Sequence, residues 1–268
     1  MTGHLDLVCG LNSKGENHLR SQSFRAPMHI SKPHLDGATL VVNAVNPTAG
    51  LFEGDKITCD IRVESGSSML FTSPSASRAH RMNGGGEAFL QQHFFVESGG
   101  WLEIFPELFI PQKGSRYRQK TVVEIAGDGG LLFFETLAPG RVASGEVFQF
   151  QHLDWETEIF YAGRRVAREK YAITPSNLAA MRGVFPTAYY ACIFLFHPSL
   201  TAANPCWQGI SELHGENAWV GNSRLHSAGW SIKILAADSV QLRKVIRAIR
   251  RIVHEAIGRI PMPELRKN

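Results

Sequence analysis

Apolar positions along this chain fall in short runs divided by turn residues, and most runs carry the signature of strands. Residues 38–45 (Ala-Thr-Leu-Val-Val-Asn-Ala-Val) are β-prone and lead into a turn at Asn46-Pro47-Thr48-Ala49-Gly50. Beyond it, Ile57, Cys59, Ile61 and Val63 alternate with Thr58, Asp60 and Arg62, the period of a strand with one buried face. Three hairpin-like units follow with a shared order of strand, small or acidic residue, glycine turn and second apolar strand. They run Val63 to Phe71, Val96 to Ile104 and Ile125 to Phe134. Gly66 and Gly99 are 33 positions apart, and Gly99 and Gly130 are 31 apart. A strand repeat of that length predicts stacked β layers in which each unit covers its neighbour's apolar edge. A plain antiparallel meander needs the same glycine turns and is the simpler alternative.

A further hairpin fits Ile159-Phe160-Tyr161-Ala162-Gly163 followed by Arg165 to Tyr171, and Ala188 to Phe196 reads as a buried strand. Helix enters late. Ser176 to Arg182 suggests a short one, ended by Gly183 and Pro186. The clear case is 239–257, where Leu242, Val245, Ile246, Ile249, Val253 and Ala256 share one face. Asp238 is placed to cap it with Gln241 at the capping-box position, and Gly258 is placed to stop it before Pro261 and Pro263. The expected fold is mainly β: a layered, β-helix-like stack of strands with a few helices toward the C-terminus. No low-complexity linker divides the chain, so residues 1–268 are read as one domain.

Composition narrows the function. Hydrophobic residues make up 44% and charged residues 19% of 268, which fits a folded globular protein, and a net charge of +4 gives no reason to invoke nucleic acid. Arg243, Lys244, Arg247, Arg250 and Arg251 crowd the C-terminal helix, where a solvated face is the expectation. Cys9, Cys59, Cys192 and Cys206 are scattered, without C-x-x-C or zinc-type spacing. With no basic, apolar leader over Met1 to Gly10 and no apolar run long enough for a bilayer, a cytoplasmic, membrane-free protein is expected.

Catalytic signatures are missing. There is no G-x-S-x-G and no G-x-x-x-x-G-K-[ST], and Gly84-Gly85-Gly86 reads as a loop tip rather than a phosphate cradle. Eleven histidines never form H-x-H or H-E-x-x-H, and His80, His93 and His152 read as isolated groups. The carboxylates say more. Asp55 and Asp60 flank a strand, Glu103 lies inside another with Glu107 after its end, and Glu135 interrupts Leu-Leu-Phe-Phe-Glu-Thr-Leu. An ionised carboxylate inside an apolar strand is costly without partners. Either each pairs with a core arginine such as Arg78, Arg116, Arg118 or Arg141, or they border a wet interior path whose oxygens hold a divalent ion briefly. Softer divalent metals prefer nitrogen and sulfur, so oxygen ligands would suit their passage rather than storage. In Gly140-Arg141-Val142-Ala143-Ser144-Gly145-Glu146, Arg141 and Glu146 can face one another across a tight corner.

In order, these clusters resemble the UreD/UreH family of urease accessory proteins. The matching stretches are Asn46 to Asp55 with Gly54, then Asp60, Thr72 to Arg78, Leu102-Glu103 with Pro106-Glu107, Ser115 to Gln119, and Glu135 with Gly140 to Glu146. Gly221 to Leu225 and the basic helix extend the likeness over nearly the whole chain. Ser73-Pro74 and Ala79-His80 depart from the family's usual residues. The resemblance implies a β-rich scaffold, not an enzyme, that binds urease apoprotein, UreF and the GTPase UreG and offers nickel an internal route. No tightly bound cofactor is implied. Asp55, Asp60, Glu103, Glu135 and Glu146 are then the candidate transient nickel ligands. Gly54, Thr72, Arg78, Glu107, Gly140, Arg141 and Gly145 are the candidate partner-binding or structural positions. Two other classes compete: a stacked-β enzyme acting on polysaccharide through paired acids, and an interaction scaffold with no metal role.

Overall fold

The computed structural model describes residues 1–174, 176, 187–259 and 262–265. Two β-sheets stack face to face, and the helices cover the outer face of the larger one. The seven-stranded sheet has at its centre five parallel strands: β1 (Thr2–Leu11), β6 (Lys56–Val63), β9 (Ala88–Val96), β12 (Arg116–Ile125) and β14 (His152–Tyr161). The antiparallel strands β2 (Asn17–Arg25) and β15 (Arg164–Ile173) close its two edges.

Four parallel strands form the heart of the eleven-stranded sheet: β5 (Thr39–Val45), β7 (Ser68–Thr72), β10 (Trp101–Phe105) and β13 (Gly130–Leu137). It continues antiparallel through β16 (Tyr189–Phe196), β18 (Trp230–Ala236) and β17 (Ala218–Arg224). On its other flank, β3 (His29–Ile30) and β4 (His34–Asp36) pair with β5. The short parallel strands β8 (Ser77–Ala79) and β11 (Phe109–Pro111) complete this sheet, paired with each other and joined to β13 through Phe109 and Leu137.

The chain therefore winds as a solenoid, leaving one sheet, turning, and entering the other. This bears out the stacked reading and corrects the hairpins. Each glycine turn is an arch: the strands on its two sides lie in different sheets and pair in parallel with neighbouring coils. The turns close through Ser67 N–H to Glu64 O at 3.0 Å, and Gly100 to Glu97 and Gly129 to Ala126 at 2.9 Å each. Register matches Ser68 with Trp101 and Trp101 with Gly130, so Gly66 and Gly99 correspond to Asp128 rather than Gly130. The hairpin at Ala162-Gly163 is a true one, joining β14 to β15.

Stacking lines up like residues. Cys9, Val63, Val96 and Ile125 form one buried column across the seven-stranded sheet, and Val42, Phe71, Ile104 and Phe133 form another across the larger sheet. Burying each such side chain contributes about 1.5–3 kcal/mol. A second core lies between the larger sheet and the helices α1 (Cys206–Ser211) and α2 (Ser239–Ala256).

Helix α2 forms as its pattern predicts. Asp238 accepts from Val240 and Gln241 N–H at 2.8 Å each, and Gly258 at φ 70° ends the helix with Arg259 N–H on His254 O at 2.9 Å. Its basic residues do not all face water, as expected of them. Arg250 is 2% exposed, on the same face as Val253 and Ile249. The helix expected over Ser176 to Arg182 lies outside the described residues, save Ser176 itself. No helix among the described residues is long and apolar enough to cross a membrane.

Candidate functional site

Inward-facing positions of the seven-stranded sheet turn polar at one level of the stack. Cys59, Gln92, Thr121 and Thr157 are register partners on β6, β9, β12 and β14. Along β12, Tyr117 hydroxyl donates to Gln119 Oε1 at 2.8 Å, Gln119 Nε2 to Thr121 Oγ1 at 3.2 Å, and Thr121 to Gln92 Oε1 at 3.1 Å. Glu135, on β13, meets this row from the opposite sheet. Its Oε1 accepts from Thr157 Oγ1 at 2.6 Å and from Trp155 Nε1 at 2.7 Å, and the carboxylate is 5% exposed.

Its second oxygen, Oε2, is buried without a hydrogen-bond partner. Glu135 lines a cavity of about 210 Å³ between the sheets. Thr72, Arg78 and Glu107 line the same cavity, so four positions singled out from sequence converge there. Burial pushes the Glu135 carboxyl up to about 7, against the hydrogen bonds from Thr157 and Trp155 and the charge of Lys233. The carboxyl sits poised between its two protonation states near neutral pH. Among the described residues no arginine pairs with it.

The other carboxylates lie elsewhere. Glu103 points from β10 to the helix side of the larger sheet. There Arg250 grips both its oxygens, with Nη2 to Oε2 at 3.1 Å, and His254 Nε2 lies 3.0 Å from Oε2. All three are essentially buried. Burial drives this carboxyl up, but the His254 hydrogen bond and the Arg250 charge outweigh it and hold it below the usual range. Among the described residues its partners come from α2, not from the arginines proposed on sequence grounds.

Asp55 is buried at the foot of β6, with Oδ2 accepting from Phe52 N–H at 2.8 Å and Oδ1 facing the Met1 amino group. The adjacent Gly54 turns the chain at φ 80°. Asp60 lies within β6, not beside it, on the outer face. Its register neighbours are Asp6 and His93, whose Nδ1 is 3.7 Å away, while His93 Nε2 is 2.8 Å from Glu124. Partial burial and the charge of Asp6 push Asp60 upward, against His93.

Glu146 and Arg141 do form the pinned corner. Arg141 Nε donates to Glu146 Oε2 at 2.9 Å, its Nη2 binds Oε1, and Lys113 N–H adds a bond at 3.1 Å. The Arg141 hydrogen bonds hold Glu146 below the usual carboxylate range. Gly140 at φ 140° and Gly145 at φ 73° make the corner possible, since a Cβ on Gly140 would meet Glu146 O at 2.5 Å. Gly84 and Gly86 cradle an anion, but it is the chain's own: their N–H groups donate to Glu53 at 2.9 and 2.6 Å. Among the described residues no three His, Cys, Asp or Glu side chains gather closely enough to hold a metal ion.

Sequence reasoning missed Trp155 and Thr157, which hold Glu135, and Arg250 and His254, which hold Glu103. Only the strand register and the docking of α2 bring these partners together, and nothing in the local patterns signals them.

A family model described as "UreD urease accessory protein" matches residues 1–267. The chain belongs to the UreD family. It is 41% identical to the urease accessory protein UreD of Opitutus terrae over 96% of both chains. It is also 29% identical to UreD of Deinococcus radiodurans, over 97% of this chain and 93% of that one. Identity to the Herpetosiphon aurantiacus UreD is 30%, over 91% and 84%. As a UreD-family member the chain is a urease accessory protein, with its role in urease maturation. The cavity around Glu135 is thus the interior feature of a maturation factor.

Proposed function

We propose that this chain serves urease maturation as a non-catalytic scaffold that passes nickel through the inter-sheet cavity past Glu135, in company with urease apoprotein, UreF and the GTPase UreG in the cytoplasm. One observation carries the reading: a buried carboxylate with one oxygen fixed by Trp155 and Thr157 and the other unpartnered, in a cavity also lined by Thr72, Arg78 and Glu107. A single carboxylate oxygen backed by hydroxyl and amide groups is a weak, hard donor set for nickel, so an ion could enter and leave. The unpaired, buried cysteines support a reducing compartment.

This reading favours some of the candidate carboxylates over others. Glu135 belongs to the path, with Glu107 near it. Glu103 is closed off by Arg250 and His254, while Asp60 and Glu146 stand at the exterior. The glycan-hydrolase reading gains nothing here. A working acid–base pair needs both carboxylates turned to the sugar, whereas Glu107 Oε2 accepts from Arg243 Nη2 at 3.2 Å.

The test is Glu135→Gln, which keeps the acceptor for Trp155 and Thr157, removes the charge and replaces the open oxygen by an amide NH2. Co-expressed with the urease structural and accessory genes, the variant should lower nickel-dependent urease activity several-fold at unchanged protein level. Full activation by Glu135→Gln would refute passage at this site.

A further inference from the structure

Beside α2 runs an open groove of about 910 Å³, away from the cavity. Leu213, Ala218, Val240, Val245 and Ala248 give it an apolar lining, with Val240 69% exposed. Lys244, Arg247 and Arg251 stand along its helix side, all exposed and at the i, i+3, i+7 spacing of one helix face. Glu212 and Glu216, also exposed, stand along the opposite side.

Among the described residues these cations have no ion-pair partner. Every Asp and Glu of the chain is among the described residues, and none of them forms an ion pair with Lys244, Arg247 or Arg251. Like charges three and four positions apart repel by about 0.2–0.5 kcal/mol per pair. A helix shaped only for solvation would intersperse glutamates, yet α2 has Glu255 alone. The rim thus carries an uncompensated row of positive charge facing a short negative one across an apolar floor.

We infer that this groove is a docking site for an amphipathic helix of a partner protein. Its apolar stripe fills the floor, its acidic flank lies on Lys244, Arg247 and Arg251, and its basic flank lies on Glu212 and Glu216. Val240 to Arg251 spans about 17 Å at 1.5 Å per residue, so the docked segment is about three turns long. The bipolar rim selects protein over a polyanion, because RNA or an acidic lipid surface would be repelled by Glu212 and Glu216. This inference does not depend on nickel passage.

Labelled amphipathic peptides of about 16 residues, long enough to hold helix, test it by fluorescence anisotropy on the full chain. They share one leucine stripe and differ in their flanks: Glu opposite Lys, Glu on both, or Lys on both. The Glu/Lys peptide should bind tightest, and weaken as salt is raised. Combined K244E, R247E and R251E should weaken it at least about tenfold and make the all-Lys peptide the tightest, with thermal unfolding unchanged because all three residues are exposed. Three results would each overturn the inference: no saturable binding of the Glu/Lys peptide, equal binding by the triple variant, or tighter binding of the all-Glu peptide, duplex RNA or phosphatidylglycerol vesicles.

Discussion

Replacing Glu135 by Gln should stabilise the fold at alkaline pH while impairing maturation, and the size of the effect follows from the site. In the folded chain the carboxyl titrates at about 7, against an ordinary value of 4.5, chiefly through burial. A raised acid binds its proton more tightly when folded than unfolded, so stability falls as pH rises from the unfolded value toward the folded one and then levels off. The difference of 2.5 units between those two values, at 1.36 kcal/mol each, sets a full penalty of about 3 kcal/mol above pH 7. At pH 5 the same relation leaves a penalty below about 1 kcal/mol.

Gln carries no such penalty, and its amide can occupy the place of the unpartnered Oε2. The stability gap between variant and wild type should therefore widen in the variant's favour by about 2.5 kcal/mol between pH 5 and pH 8, or roughly 5–10 °C in melting temperature. Urea unfolding at both pH values reads it directly. A gap that does not change with pH would show that Glu135 is not desolvated, and the poised carboxyl would go with it. Lost maturation in a variant that is more stable cannot be ascribed to misfolding.

Three further substitutions probe the rest of the molecule. Glu103→Ala strands Arg250 in the core and should cost about 3–5 kcal/mol in urea unfolding; wild-type stability should also fall with acid, since a depressed carboxyl contributes above its unfolded pKa and is lost as pH drops through the folded one. Gly140→Ala forces a side chain into the left-handed region against Glu146 O and should cost about 1–3 kcal/mol by thermal melting. Asp60→Asn, on the outer face beside Asp6, should change stability by no more than about 0.5 kcal/mol and should relieve, not add, strain between the two strands.

How much of this was legible in the sequence depended on whether a strand has one buried face or two. β6 is buried on alternate residues, so its strand and its outward Asp60 could be read from the period of Ile57, Cys59, Ile61 and Val63. The stack itself was visible as a repeat, but not its phase. The coil advances 33 residues from Ser68 to Trp101 and 29 from Trp101 to Gly130, and Asp128 takes the turn position a glycine holds in the other two coils. The helix α2 was legible through its cap and apolar spacing. Its inward Arg250 was not, because arginine on a helix ordinarily signals water.

Glu103 and Glu135 show where sequence stops and register begins. Both interrupt strands buried along both faces, β10 throughout and β13 over nearly its length, so no alternation marks which way either carboxylate points. Register decides. Glu103 pairs with Leu132, and successive side chains on a strand point to opposite faces, so Glu135, three positions beyond Leu132, must face the other way. One carboxylate therefore meets α2, where Arg250 and His254 neutralise it into a fixed post between sheet and helix. The other meets the polar row of the facing sheet, where hydroxyl and indole donors hold one oxygen and no cation among the described residues pairs with the other. The same residue type, in the same kind of apolar run, ends as a structural ion pair or as a carboxylate with one open oxygen by the parity of a single register. Only the second retains the unmet demand for a proton or a cation that the proposed transit of a metal ion needs.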